Sequence, residues 1–260
     1  MKILVCIKQV AQKDVPLRLN ESATWIRDDV SWETNEPDAY ALEEALRQKE
    51  KHGGEVVAIT AGPARAQQVL REALAKGADR AIHLEDDRFV HLDAGNTARA
   101  IAAAIGLEDG GEKYDLIVTG LQSDDFGAAQ TGVLLAEVLG VPHATIIIGI
   151  EKTDSGLKLK RELEAGHYQH IEMPMPAVLT IQSGISKLRY ATLIGIKQAK
   201  MKPLKKVSWA DVEGKLSPHM QKIERLYVPG SQKQTRKLEG PAGEVAKKVV
   251  EYLRNDARIL

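Results

Sequence analysis

Over roughly the first 150 residues the hydrophobic period switches repeatedly between short β-like runs and helical three- and four-residue spacing. A chain patterned in this way is constrained to layer helices on a sheet. Runs rich in Val, Ile and Leu at Lys2–Ile7, Glu55–Thr60, Arg80–Leu84, Asp115–Thr119 and Ala144–Ile150 are closely bounded by polar or glycine-containing turns, which predicts five strands. Between them, Val69, Leu70, Ala73 and Leu74 form one apolar helical stripe, and Ala98, Ile101, Ala102 and Ile105 form another. Further helices are predicted over Asp38–His52 and over Gly127–Leu139, the latter stopped by Gly140 with Pro142 just beyond. The fold class expected is α/β: a doubly wound, mostly parallel open sheet of the Rossmann-like kind, with a C-terminal extension.

The last third differs in kind. Leu157–Leu163 and Ala177–Gln182 read as extra strands, after which periodicity is weak until a terminal helix over Glu244–Leu253. From Met173 through Ala210 there is no Asp or Glu, while Lys187, Arg189, Lys197, Lys200, Lys202, Lys205 and Lys206 are basic. Gly230–Gly243 resembles a flexible linker. The expected organisation is a nucleotide-binding domain over 1–186, followed by a partner-docking arm over 187–260.

Composition narrows the function. The 36 basic and 36 acidic side chains cancel, so no global attraction to nucleic acid or to an anionic membrane arises. The one cysteine, Cys6, rules out an internal disulfide framework and a clustered-thiolate metal site, and reads as a small buried strand residue. No apolar run approaches the ~20 residues needed to span a bilayer, and the N-terminus leads directly into a strand without a targeting segment. A cytoplasmic location is expected. Metal-dependent protease, serine-hydrolase, Walker A and G-x-G-x-x-G signatures are missing, and His167 and His170, three apart in an extended segment, face opposite sides. No familiar catalytic signature is therefore legible in the chain.

In an open α/β sheet, ligands bind where loops leave the carboxyl ends of strands, and anions settle at helix N-termini, where free N–H groups and the dipole favour them. Gly120-Leu-Gln-Ser-Asp-Asp-Phe-Gly127-Ala-Ala-Gln130-Thr131-Gly132 meets that requirement with glycines for close backbone approach and two polar side chains at a helix start. The segment is readable either as a phosphate cradle or as an ordinary turn capped by Ser123 or Asp124. If phosphate binds, Asp124 and Asp125 must turn away, cap N–H groups, or meet a ribose or base. Asn35–Asp38 and Ala61-Gly62-Pro63 lie near strand ends, where they either wall the same pocket or serve as N-cap and turn. Tyr190–Ile196 places apolar side chains in an expected loop, an arrangement that calls for a partner to cover them.

Taken in order, Lys2-Ile-Leu-Val-Cys-Ile-Lys8, Gly77-Ala-Asp-Arg80, Gln130-Thr-Gly132, Lys160-Arg161-Glu162 with Gly166 and Gln169 through Pro176-Ala-Val-Leu-Thr180, and Leu188-Arg-Tyr-Ala-Thr-Leu193 followed by lysines resemble the electron transfer flavoprotein β subunit nearly end to end. The resemblance implies a heterodimer in which an α subunit holds most of the FAD and this subunit holds a structural AMP. Neither subunit would carry out bond-making catalysis of its own; electrons would pass from acyl-CoA-type dehydrogenases to a quinone reductase or another acceptor. The implied AMP pocket comprises Cys6, Asn35, Glu36, Pro37, Asp38 and Ala61, with Ser123, Asp124, Asp125, Phe126, Gly127, Ala128, Ala129, Gln130, Thr131, Gly132, Val133 and Leu134. Gln130 and Thr131 would meet the phosphate. The implied recognition element comprises Tyr190, Ala191, Thr192, Leu193, Ile194, Gly195 and Ile196, with Leu193 as its anchor. Ala129 stands where many members have Asn, and Lys13 where an aromatic often nears the flavin. An electron-bifurcating branch places a second FAD in the AMP site and continues its loop into Val-Gly-Pro. Gln130-Thr131-Gly132-Val133 favours the AMP-binding branch. A universal-stress-type ATP-binding regulator is the alternative of another class, although it would not need residues 187–260.

Overall fold

The computed structural model describes residues 1–107, 113–228 and 235–260. The chain begins with β1 (Lys2–Cys6) and a small antiparallel pair, β2 (Gln9–Ala11) and β3 (Trp32–Thr34), followed by α1 (Glu36–His52) and β4 (Glu55–Gly62). Then come α2 (Gln67–Lys76), β5 (Arg80–Glu85), α3 (Ala94–Gly106), β6 (Leu116–Gly120) and α4 (Thr131–Leu139). The remainder comprises β7 (His143–Lys152), β8 (Leu157–Glu162), β9 (Tyr168–Met173), β10 (Ala177–Ile181), α5 (Leu193–Ala199), β11 (Leu204–Val207), α6 (Trp209–Val212) and α7 (Ala242–Asn255).

Among the described residues nine strands form one open sheet in the order β11-β5-β4-β1-β6-β10-β7-β8-β9. All neighbours from β11 to β7 are parallel, and the β7–β8 and β8–β9 pairings are antiparallel, so that β8 alone runs against the other strands of this sheet. The doubly wound, mostly parallel architecture expected from the alternating period is therefore present.

Strand side chains alternate between faces. Ile3 and Val5 of β1 join Ala41, Leu42, Ala45 and Leu46 of α1 and Val69, Leu70, Ala73 and Leu74 of α2 on one face. Leu4 and Cys6 join Ala98, Ile101 and Ala104 of α3 and Leu135 and Ala136 of α4 on the other. Burying both faces accounts for the near-continuous apolar strands.

Three expectations change in detail. Helix α4 begins at Thr131 rather than Gly127, because Gly127 (φ 61°) and Ala129 (φ 54°) take left-handed backbone conformations that end helical continuity. Tyr168–Met173, within the segment read as extended at His167 and His170 but not among the expected strands, pairs with β8 as β9. Leu204–Val207, in the lysine-rich stretch, pairs with β5 as β11 at the sheet edge, where lysines suit an exposed strand.

Met1–Glu224 form one compact unit and Arg225–Leu260 a second. In the second, Arg236 Nη1 pairs at 2.9 Å with Asp256, the C-cap of α7, and no residue of α7 is buried. Residues 230–234 of the expected linker lie outside the described residues. No helix of the described residues is long and apolar enough to cross a membrane, and none of their His, Cys, Asp and Glu side chains form a metal-binding group of three.

Candidate nucleotide site and apolar docking segment

The chain winds to one side from β1 to β4 and β5, then returns to place β6 on β1's other side, so the topological switch point lies between β1 and β6. Ligand crevices form at the carboxyl ends of strands at such a point. Here the crevice is bridged by Asp38, in the first turn of α1. Its Oδ2 accepts from Lys8 N–H at 2.8 Å, just past β1, and its Oδ1 accepts from Gly120 N–H at 2.9 Å, at the end of β6. Burial, partly offset by these amide hydrogen bonds, pushes the Asp38 carboxyl up to about 7. The neighbouring Cys6 thiol is also pushed up, by burial and by Asp38.

Gly120 is required by this contact: a Cβ there would lie 2.4 Å from Asp38 Oδ1 and 2.7 Å from Asp38 N. Gly132 has an equivalent need in the first turn of α4, where a Cβ would lie 2.7 Å from Thr119 Oγ1 and 2.8 Å from Thr180 Cγ2. The two glycines let α1 and α4 press against the ends of β6 and β10.

The loop between them is tied to α1 and β1. Asn35 Nδ2 donates to Gln122 O at 2.9 Å, and Asn35 Oδ1 accepts from Asp124 N–H at 2.9 Å. Asn35 occupies the N-cap position of α1 but makes no side-chain cap bond; instead Glu36 N–H donates to Asp124 Oδ2 at 3.2 Å. The cap thus comes from a residue 88 positions away. Lys8 Nζ donates to both oxygens of Asp125 at 2.7 Å and lies 4.7 Å from the centre of the Phe126 ring. Phe126 in turn packs on Trp25 at 5.4 Å. Lys13 pairs with Glu36 and lies 3.5 Å from Asp124.

Both loop carboxylates are thereby engaged away from α4. Gln130 precedes the helix without a side-chain cap bond, and no acidic residue occupies the first turn of α4. That end keeps amide donors and a dipole suited to an anion. Pro37 is buried, Ala61 is half-buried near the end of β4, and Ser123 Oγ accepts weakly from Phe126 N–H at 3.4 Å. Ala128, Ala129 and Gln130 are exposed beside Thr131 and Val133, while Leu134 packs inward. The expected nucleotide residues therefore gather around the β1, β4 and β6 ends and the start of α4. Lys8 and Trp25 join this cluster although no motif singles them out; the position of Lys8 two residues beyond β1 is the one cue the sequence offers.

Tyr190–Ile196 lies elsewhere on the chain, beside α1 and α2. Tyr190, Leu193 and Ile194 are 94%, 81% and 68% exposed, and Ile196 is also exposed. The expected loop is helical from Leu193 onward: Thr192 Oγ1 caps α5 by accepting from Gly195 N–H at 3.0 Å. A seven-residue helix is marginal alone. Packing on α2 sustains this one, since Gly195 sits so close that a Cβ would lie 2.3 Å from Ala75 O.

Residues 23–212 match the Electron transfer flavoprotein domain. The chain is 37% identical to the electron transfer flavoprotein subunit beta of Methylophilus methylotrophus, over 97% of this chain and 98% of the relative. The chain belongs to the electron transfer flavoprotein β-subunit family. It is also 35% identical to the subunit beta of Bacillus subtilis (strain 168), over 90% and 91% of the two chains. The acryloyl-CoA reductase electron transfer subunit gamma of Anaerotignum propionicum is 38% identical, over 78% and 76%. Membership gives the chain an electron-transfer role in a flavoprotein and decides against the universal-stress alternative.

Proposed function

We propose that this chain is the β subunit of a heterodimeric, non-bifurcating electron transfer flavoprotein, binding AMP as a structural nucleotide and helping to enclose an FAD held mainly by an α subunit. The observation that carries the AMP reading is the side-chain-uncapped start of α4, brought against the sheet by Gly132 while Lys8 and the α1 N-terminus draw Asp125 and Asp124 aside. Amides of the first α4 turn, with Gln130 and Thr131, would hold the phosphate. The strand-end residues Cys6, Ala61 and Asn35–Asp38 would wall the nucleoside, with Ser123–Ala129 and Gly132–Leu134 completing the pocket. AMP supplies no redox chemistry; its anionic phosphate would complete the hydrogen bonding of the α4 end and fasten the exposed loop to the sheet.

The FAD supplies the electron-carrying chemistry, and this chain makes or breaks no bond in its partners. Division by role follows: 1–186 carries the nucleotide, and 187–260 carries the docking segment and the arm that engages the α subunit. Relatives are named for acryloyl-CoA reductase and for a caffeyl-CoA reductase–Etf complex. Those names support a partner acting on acyl-CoA compounds without fixing the direction of electron flow; in the proposed assembly an acyl-CoA-type dehydrogenase is the electron donor, with a quinone reductase or another acceptor downstream. Leu193 is the anchor into the donor. We assign the assembly to the cytoplasm.

Mass spectrometry of nucleotides released from the co-purified heterodimer tests the reading. One AMP and one FAD per heterodimer is the expected result; two FAD would replace the AMP assignment by the bifurcating one. Separately, Leu193→Ala should raise the KM for the donor dehydrogenase about tenfold, the order of a buried hot-spot side chain. An unchanged KM with intact flavin removes Leu193 as anchor.

A further inference from the structure

The apolar segment is held in place by residues outside it. On its N-terminal side, the Arg189 guanidinium forms a fork between two carboxylates of α1. Nε lies 2.8 Å from Glu43 Oε2 and Nη2 lies 3.1 Å from Glu43 Oε1, while Nη1 and Nη2 lie 2.6 and 3.2 Å from the Glu50 oxygens. Glu43 and Glu50 are seven residues apart, two turns along one face of α1. Arg189 N–H also donates to Glu43 Oε2 at 3.2 Å, so the carboxylate grips backbone as well as side chain.

Glu43 is itself fixed. Its side chain is 4% exposed and accepts a second charged hydrogen bond, from Arg47 Nε at 3.0 Å. Burial alone would raise its carboxyl, but the bonds from Arg189 and Arg47 bring it below its ordinary value. Arg47 Nη2 donates onward to Lys187 O at 3.4 Å. On the far side of the segment, Arg71 Nη1 donates to Ala199 O at 2.8 Å, and Lys202 Nζ donates to Leu74 O and Ala78 O at 3.0 and 2.6 Å. Between the two fastenings stand the exposed Tyr190, Leu193 and Ile194, whose own side chains contribute little to holding the backbone.

We propose that Arg189 is a positioning residue for partner docking: by locking the backbone and side chain of residue 189 to Glu43 and Glu50 of α1, it presents Leu193 in a fixed orientation before the donor dehydrogenase arrives. The inference rests on Leu193 as the docking anchor. Each residue whose backbone is ordered in advance spares roughly tenfold in affinity at docking. Arg189 is suited to the task because a planar guanidinium satisfies two carboxylates at once, whereas an ammonium is a single point charge.

The test uses the intact heterodimer and its donor dehydrogenase, with flavin-reduction rate measured against dehydrogenase concentration. Arg189→Met should raise KM about tenfold and Arg189→Lys about threefold, with kcat, flavin content and flavin spectrum unchanged. Amide hydrogen exchange at Ala191–Ile194 should quicken in the variants before any dehydrogenase is added. The double variant R189M/L193A should be no worse than L193A, because positioning has no value without the anchor.

If R189M leaves KM unchanged while L193A raises it, the positioning role falls and the anchor stands. If neither moves KM, the docking reading itself falls. Full additivity would place Arg189 in direct contact with the dehydrogenase and overturn the proposal. If R189M does not assemble, Glu50→Gln carries the test, since it removes the exposed half of the fork without stranding a buried charge. A rise in KM of about threefold with faster exchange supports positioning, and unchanged values overturn it.

Discussion

Replacing Gly120 by Ala would test how tightly the switch-point crevice is closed. The added methyl would sit 2.4 Å from Asp38 Oδ1 and 2.7 Å from both Asp38 N and Pro37 C. Two of these contacts are backbone atoms in the first turn of a 17-residue helix, so a side-chain rotation cannot relieve them. Overpacking of this kind costs about 1–3 kcal/mol. Moving α1 away also weakens the bonds from Gly120 N–H and Lys8 N–H to Asp38, each worth roughly 1.5–3 kcal/mol when the acceptor is charged. The combined expectation is a loss of about 3–6 kcal/mol, enough to lower the melting temperature on the order of 10 °C. Urea unfolding followed by tryptophan fluorescence reads this directly, since Trp25, Trp32 and Trp209 all belong to the unit spanning Met1–Glu224. Gly127→Ala is the comparison: its φ is 61° but no atom lies within 4 Å of the added Cβ, so only the backbone penalty of about 1 kcal/mol applies. If G120A loses no more than G127A, the close approach of α1 to β6 is wrong and with it the account of Asp38.

Two pH effects of opposite sign follow from buried groups. Asp38 is raised from 3.8 to about 7 in the folded state, so the fold binds more protons than the unfolded chain in that window and this residue's contribution falls as pH rises through it. Asp38→Asn removes that dependence, and its stability relative to wild type should climb by up to about 4 kcal/mol between pH 4 and 7; a flat difference across urea titrations would sink the assignment. His83 is fully buried on β5, with Nε2 3.2 Å from Gly62 O and Nδ1 3.2 Å from Glu85, which itself pairs with Lys206 of β11. Burial holds its imidazole below 6.5, opposed by Glu85 and reinforced by Lys206. Its contribution is complete above the ordinary 6.5 and is lost as pH falls below it. His83→Gln should therefore show a smaller loss of stability than wild type between pH 7 and 5, and equal losses would show that His83 is not the titrating group.

Period and punctuation alone determined the layered core, because a strand buried on both faces and a helix striped on one leave different marks on the order of side chains. The stripe at Val69, Leu70, Ala73 and Leu74 became the buried face of α2, and Gly140 with Pro142 marked the end of α4. Motif order carried the family assignment. What only the tertiary structure decided were bonds between residues far apart in the chain. Asp124 rather than Asn35 caps α1, Lys8 draws Asp125 off the start of α4, and Asp38 joins two strand ends. The short helix α5 exists because Gly195 can rest against Ala75, and β11 exists because β5 offers an edge. Local propensity could reveal none of these, since a hydrogen bond spanning 88 residues leaves no period in the sequence, and a seven-residue helix gains its stability from the surface beneath it rather than from its own residues.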